Sequence, residues 1–248
     1  MRVGPDQGTL PPLPKLEVSG AALVALQDRG GNVFDVKAYG AKGDGVADDL
    51  GSNNTAVTAI RAAGGGTLYF PAGTYKITGE ILLDGYYPGA SPPGTARKFP
   101  FLVRGAGAEC TTINMANPLN PTINGIRTVY AGAADLSKEL YMEIRDLRFD
   151  ASGAPPTAGA AIRQECDPAY QNVILVRNCW FQETWDGVNT TASGGTIVKN
   201  CTFLNPLHAA IFLEQRVPEN TDVGAIHIAN NFFLGLRGSQ WASGATSG

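Results

Sequence analysis

Glu165 closes the segment AAIRQE (160–165) and Glu214 closes AAIFLE (209–214). A third segment, GVNTT (187–191), falls between them. If the three are stacked strands aligned on Ile162, Val188 and Ile211, one outward column holds Arg163, Asn189 and Phe212. The next holds Glu165, Thr191 and Glu214. Two strand spacings would separate the glutamates by about 9–10 Å. Inverting glycoside hydrolysis needs two carboxyl groups about 6.5–9.5 Å apart, and long side chains narrow the gap into that range. Glu165 and Glu214 are therefore the expected acid–base pair.

Asp186 and His208 fall just before or at the start of these strands on adjacent turns, so Asp186 is expected to assist the pair. Trp185, His208 and Phe212 are the expected binding residues, because sugar C–H faces pack on aromatic rings. Each has a plainer alternative. An exposed Glu commonly only solvates a face, an Asp at a turn commonly bonds its own backbone, and a lone His in a loop need not be a base. His227, in the alternating AIHIANN, reads as a strand-face residue.

What must position these residues is an internal repeat. IRDLRF (144–149), VRNCWF (176–181), VKNCTF (198–203) and IANNFF (228–233) align on Phe149, Phe181, Phe203 and Phe233. A varying period of this size fits a solenoid with fixed strands and variable loops. Within each segment apolar residues alternate and an Asn or Asp marks a bend. The repeat leaves no room for the helices of a doubly wound α/β fold. The four phenylalanines should form one inward stack, and Cys179 and Cys201 should be buried neighbours in an inward ladder.

Upstream, Phe34, Val36 and Ala38 alternate as a strand does, and GAKGDG (40–45) forces a loop. Asp48, Asp49, Ser52 and Asn53 are candidate caps for a helix from about Asn54 to Ala63, ended by three glycines. TLYF and TYKIT read as strands around a Pro-Ala-Gly turn. Residues 84–100 are a Pro/Gly-rich loop insertion. Residues 1–32 read as an arm, Pro-rich over 1–17, with a short amphipathic helix over 18–30. The expected organisation is that arm followed by a single domain over 33–248, with cap and first coils over 33–83 and clear repeat coils over 140–236.

The chain has 248 residues, 31 glycines and 16 prolines, with 17% charged residues and a net charge of −3. Without a Lys/Arg-rich run, a nucleic-acid partner is not expected. No eighteen-residue apolar stretch suggests a membrane span, and the N-terminus lacks the apolar run of a secretory signal. The four cysteines, Cys110, Cys166, Cys179 and Cys201, include no C-x-x-C pair, so no structural zinc is expected. Neither a metal nor a cofactor is expected.

The string VFDVKAYGAKGDGVADD (33–49), a short helix and GGGTLYFPAGTYKIT (64–78) together resemble the N-terminal cap and first coils of the pectate-lyase-like superfamily, which includes relatives of glycoside hydrolase family 28 and bacteriophage tailspikes. The resemblance covers roughly residues 33–240 with the repeat. It implies an all-β right-handed parallel β-helix with a short N-terminal capping helix. It also implies that Asp44, Asp48 and Asp49 mark the fold rather than the chemistry. Polygalacturonase-type members carry their carboxylates on the coils in patterns resembling N-T-D-G and then D-D. Here Thr184-Trp185-Asp186-Gly187 keeps one aspartate of the first, and Leu207-His208 replaces the second. That acid–base set is incomplete, and no run of Asp ligands for a calcium site is present.

These observations point to a polysaccharide-directed protein, a glycan depolymerase of tailspike or pectinase-like type acting as a hydrolase or lyase. The alternative is a non-catalytic virion spike, decoration or receptor-binding β-helix. Tailspike resemblance and the absence of a closing strand pattern in GSQWASGATSG imply a homotrimer, possible virion attachment through the N-terminal arm, and an extracellular or virion-associated location.

Overall fold

A computed structural model describes residues 32–63, 65–84, 101–130, 140–166, 172–191, 195–214 and 226–235. The arm, the helix expected over 18–30 and almost all of the 84–100 insertion lie outside the described residues.

The chain opens with β1 (Val33–Asp35), β2 (Asp44–Asp48) and helix α1 (Leu50–Ala63). Five three-stranded coils follow. They are β3 (Gly66–Phe70), β4 (Gly73–Lys76) and β5 (Ile81–Asp84); β6 (Phe101–Gly105), β7 (Thr111–Asn114) and β8 (Ile126–Tyr130); β9 (Leu140–Arg145), β10 (Arg148–Asp150) and β11 (Ala160–Cys166); β12 (Asn172–Arg177), β13 (Trp180–Gln182) and β14 (Asp186–Thr191); and β15 (Thr196–Lys199), β16 (Thr202–Leu204) and β17 (Ala209–Glu214). β18 (Ile226–Ala229) and β19 (Phe232–Leu234) are the last described strands. Like strands of successive coils pair in parallel. The first sheet is ordered β1-β3-β6-β9-β12-β15-β18, the second β2-β4-β7-β10-β13-β16-β19 and the third β5-β8-β11-β14-β17. This is the expected right-handed parallel β-helix with a capping helix near its N-terminal end.

Parallel in-register pairing places like residues over like. Phe149, Phe181 and Phe203 are matched across β10, β13 and β16, and Phe233 continues the column on β19. Their rings stack nearly flat at 5.4, 4.7 and 5.2 Å between centroids. The inner three are buried, whereas Phe233 on the last described strand is 40% exposed. Below Phe149 the column continues as Ile113 and Tyr75. Burial, with Asp35 and Asp49 nearby, pushes the Tyr75 hydroxyl well above its ordinary pKa, and that hydroxyl donates to Pro71 O at 2.8 Å.

From the third coil on, the bend between first and second sheets turns on an Asn or Asp. Asp146, Asn178, Asn200 and Asn230 take φ of 58, 53, 54 and 54°, a left-handed conformation that Asn and Asp tolerate better than most residues. Asn178 Nδ2 donates to Asp146 Oδ1 at 3.0 Å. The residue after each bend faces inward, and Cys179 and Cys201 there are buried free thiols. Burial raises the Cys179 thiol well above its ordinary pKa, as expected of a packing residue.

Three aspartates of the cap carry structure. Asp49 is buried and accepts from the backbone N–H of Lys42 and Gly43 at 2.6 and 3.0 Å. Asp44 accepts from Val46 and Ala47, and those bonds hold its carboxyl below the ordinary range. Asp48 accepts from Leu50 N at 3.1 Å. That capping bond starts the helix at Leu50 instead of near Asn54, so Ser52 and Asn53 lie within it. The strand expected through Val36 and Ala38 ends at Asp35. Asp35 accepts from Lys37 N and caps a 3-10 helix over Val36–Tyr39, closed by Gly40 at φ 100°.

Gly187 shows how tightly the coils are stacked. A Cβ there would lie 2.5 Å from Ala210 O and 2.6 Å from the Phe203 ring. Two stability outcomes follow, both measured by equilibrium urea unfolding. Phe181→Ala should cost about 3–5 kcal/mol, as for buried aromatics generally, and more than Phe233→Ala. Gly187→Ala should cost about 1–3 kcal/mol by overpacking.

Candidate functional site

The outward face of the third sheet gathers the residues with chemistry. Its central column runs Arg127, Arg163, Asn189 and Phe212 on successive rungs. Thr191 pairs with Glu214, one rung above the Glu165 position. Both outward columns thus have the register expected from the aligned segments.

Glu165 and Glu214 do share a column, but a guanidinium lies between them. Arg163 Nε is 2.9 Å from Glu165 Oε1, and Arg163 Nη2 is 3.6 Å from Glu214 Oε2. Arg127 holds the other Glu165 oxygen at 2.9 Å and reaches Glu80. Burial alone would raise the Glu165 carboxyl, but the hydrogen bonds from Arg163 and Arg127 outweigh it and hold the group below its ordinary range. This is the setting of a fixed carboxylate, not of the protonated acid that the pair would need. The gap expected to admit a water is spanned by Arg163.

Asp186 and His208 are brought together. His208 Nδ1 lies 2.7 Å from Asp186 Oδ1, with the Asp186 side chain 4% exposed and the His208 side chain 44% exposed. Asn189 Nδ2 donates to the other oxygen, Oδ2, at 2.7 Å. A carboxylate partner places the imidazole proton on Nδ1 and leaves Nε2 as a proton acceptor. Main-chain pairing sets the geometry: His208 N donates to Trp185 O at 2.9 Å, which seats the residues side by side on adjacent coils. Their rings stack at 5.2 Å and 5°. Phe212, 37% exposed, packs obliquely against His208 at 5.6 Å. All three expected binding residues therefore form one aromatic cluster, with a buried carboxylate behind it.

Arg127, which braces Glu165, is not singled out from the sequence, and Asn189, which holds Asp186, is placed in the outward column without a role. The signal for Arg127 is the Ile126-Arg127 pair, which repeats Ile162-Arg163 one coil earlier. Among the described residues no group of three or more His, Cys, Asp or Glu could hold a metal ion, and no helix is long and apolar enough to cross a membrane.

The family described as rhamnogalacturonase A/epimerase, pectate lyase-like, matches residues 33–231. The chain belongs to that family. Among curated relatives, the mannuronan C5-epimerase AlgE4 of Azotobacter vinelandii is 38% identical over 126 residues, covering 47% of this chain and 19% of AlgE4. Alginate lyase 7 of the same organism is 34% identical over 93 residues, covering 38% of this chain and 10% of the lyase. A glucan 1,3-beta-glucosidase of Cochliobolus carbonum is 26% identical over 193 residues, covering 73% and 21%. The matches thus span a fifth or less of the length of AlgE4 and alginate lyase 7. The solved AlgE4 A-module covers 79% of this chain and 50% of its own, with 24% identity and a TM-score of 0.48. ORF18 of Geobacillus virus E2 covers 86% and 43%, with 18% identity and a TM-score of 0.47.

In this pectate lyase-like chain the arginine clamp has a measurable signature. A carboxyl whose folded pKa is depressed adds stability above its unfolded pKa, and that stability is lost as pH falls through the folded value. Glu165 has an ordinary value of 4.5 and is lowered from it. Wild type should therefore lose more stability than Glu165→Gln between about pH 6 and about pH 3. Urea midpoints at the two pH values measure the difference.

Proposed function

We propose that this chain is a polysaccharide-directed β-helix that holds a glycan across the third sheet and depolymerises it, with His208 as the proton-transfer group. The observation that carries the reading is the buried Asp186 behind an exposed His208, flanked by Trp185 and Phe212. Asp186, fixed by Asn189, orients the imidazole and stabilises the imidazolium formed when Nε2 takes a proton. The aromatic rings supply a surface on which sugar C–H faces pack. Relatives named as mannuronan epimerases, an alginate lyase and a glucosidase support a glycan as the ligand.

This assignment moves the acid–base role from Glu165 and Glu214 to His208 with Asp186, and gives the two glutamates the task of fixing Arg163. A single free proton-transfer group suits base-initiated, eliminative cleavage better than hydrolysis, which calls on two carboxyl groups. The base would remove a proton from the carbon beside a uronate carboxyl. A C=C bond would form to the adjacent carbon as the glycosidic C–O bond there breaks, and the His208 imidazolium would return its proton to the departing oxygen.

A second reading is a non-catalytic spike or receptor-binding protein that uses the same aromatic surface. It is favoured by Arg163 bridging both glutamates, which leaves the dyad without an evident second acid. A single domain over 33–248 serves either reading. The spike reading adds a homotrimer attached to a virion through residues 1–32, outside the cell, and light scattering of the full chain tests the trimer.

His208→Gln should reduce turnover by about a hundred- to ten-thousandfold while retaining glycan binding, and Trp185→Ala should weaken binding itself. The assay follows reducing ends and unsaturated products from alginate, polygalacturonate and bacterial capsular polysaccharides. Unchanged turnover in His208→Gln excludes this base. Absence of turnover on every glycan that wild type binds favours the spike.

A further inference from the structure

The first sheet carries a second ordered feature, remote in the fold from the aromatic cluster. Register places Arg104 opposite Arg145, Arg145 opposite Arg177, and Arg177 opposite Lys199. Four successive rungs thus present a cation at one outward position, flanked on the inside of each strand by Val103, Ile144, Val176 and Val198, all buried. At about 4.8 Å per rung the row is straight and about 14 Å long.

Like charges directly opposite on neighbouring strands are destabilising, so a row held together for stability alone would alternate in sign along the column. This one does not. Its middle is braced from the side: Glu143 lies 2.6 Å from Arg177 Nε and 3.5 Å from Arg145 Nε, and Asp146 is 3.3 Å from Arg145 Nη1. Its ends are not braced by acids. Arg104 lies 5.0 Å from the Tyr69 ring centroid, and neither Arg104 nor Lys199 has an ion pair among the described residues. Four cations therefore face two acids, on a chain whose net charge is −3.

We propose that this row is a binding track for a linear polyanion carrying one carboxylate per repeat, that is, an acidic polysaccharide lying along the axis of the solenoid. The match is one of charge and period. An extended chain with one carboxylate per sugar presents anions in a line, as the sheet presents cations. A nucleic acid fits less well, because a duplex places phosphates on two curved strands at closer axial spacing. The track is independent of the His208 chemistry, and a bound polymer would be held on a face that the aromatic cluster does not occupy.

The test separates the two surfaces by working in full-length Trp185→Ala, where the aromatic platform is removed. Retention of the protein in gels containing sodium polygalacturonate should persist in that background, fall as salt rises, and be absent with neutral dextran. Adding Arg104→Gln and Lys199→Gln together should weaken retention about tenfold, since each partly exposed cation contributes only a modest ion pair. Lys199→Arg should leave retention intact. Thermal unfolding of each variant confirms that the fold is kept. Retention unchanged by the double substitution, loss of all retention in Trp185→Ala alone, or equal retention in gels containing single-stranded oligonucleotide would overturn the track.

Discussion

Everything in this structure depends on parallel strands stacking in register one spacing apart. That constraint forces each residue to live against its counterpart in the coils before and after. Inside, only residues that pack on themselves can recur, so Phe149, Phe181 and Phe203 form a continuous pile of rings. Outside, each position becomes a row whose properties add. The cations on the first sheet are a row of this kind, as is the column from Arg127 through Arg163 and Asn189 to Phe212 on the third sheet.

The same constraint explains what the sequence disclosed. Phenylalanines at fixed places, followed two residues later by a second bend, betray the later coils because there the bend between first and second sheets is two residues long. Asp146-Leu147, Asn178-Cys179, Asn200-Cys201 and Asn230-Asn231 each fill it. Once β11, β14 and β17 are aligned, their outward columns can be written down, and the register of Arg163, Asn189 and Phe212 is legible. The start of α1 was less legible, because several polar residues compete for the cap and only geometry shows Asp48 taking it.

Side-chain choice within a column was not legible. Two glutamates two rungs apart resemble a catalytic pair until the residue between them is known to be an arginine that reaches both. Arg127 adds to that clamp from a coil that lacks the phenylalanine marker, so only the repeated Ile-Arg pair could have pointed to it. Conversely, Asp186 and His208 occupy adjacent coils in any correct alignment. Their hydrogen bond also depends on Asn189 holding the second carboxylate oxygen, a three-residue arrangement that periodicity cannot reveal.

The lengths of the connections around one coil are unequal. The bend between first and second sheets is two residues long from the third coil on, whereas connections from third sheet to first occupy 85–100, 131–139, 167–171, 192–195 and 215–225, and those from second to third occupy 77–80, 115–125, 151–159, 183–185 and 205–208. Variation in length therefore falls at the two edges of the third sheet, which bears the aromatic cluster, and least at the bend between the other two sheets. The architecture thus separates stacked rungs, whose register is fixed by their neighbours, from edge connections whose length is not, and the ligand-facing sheet is the one flanked by adjustable segments on both sides.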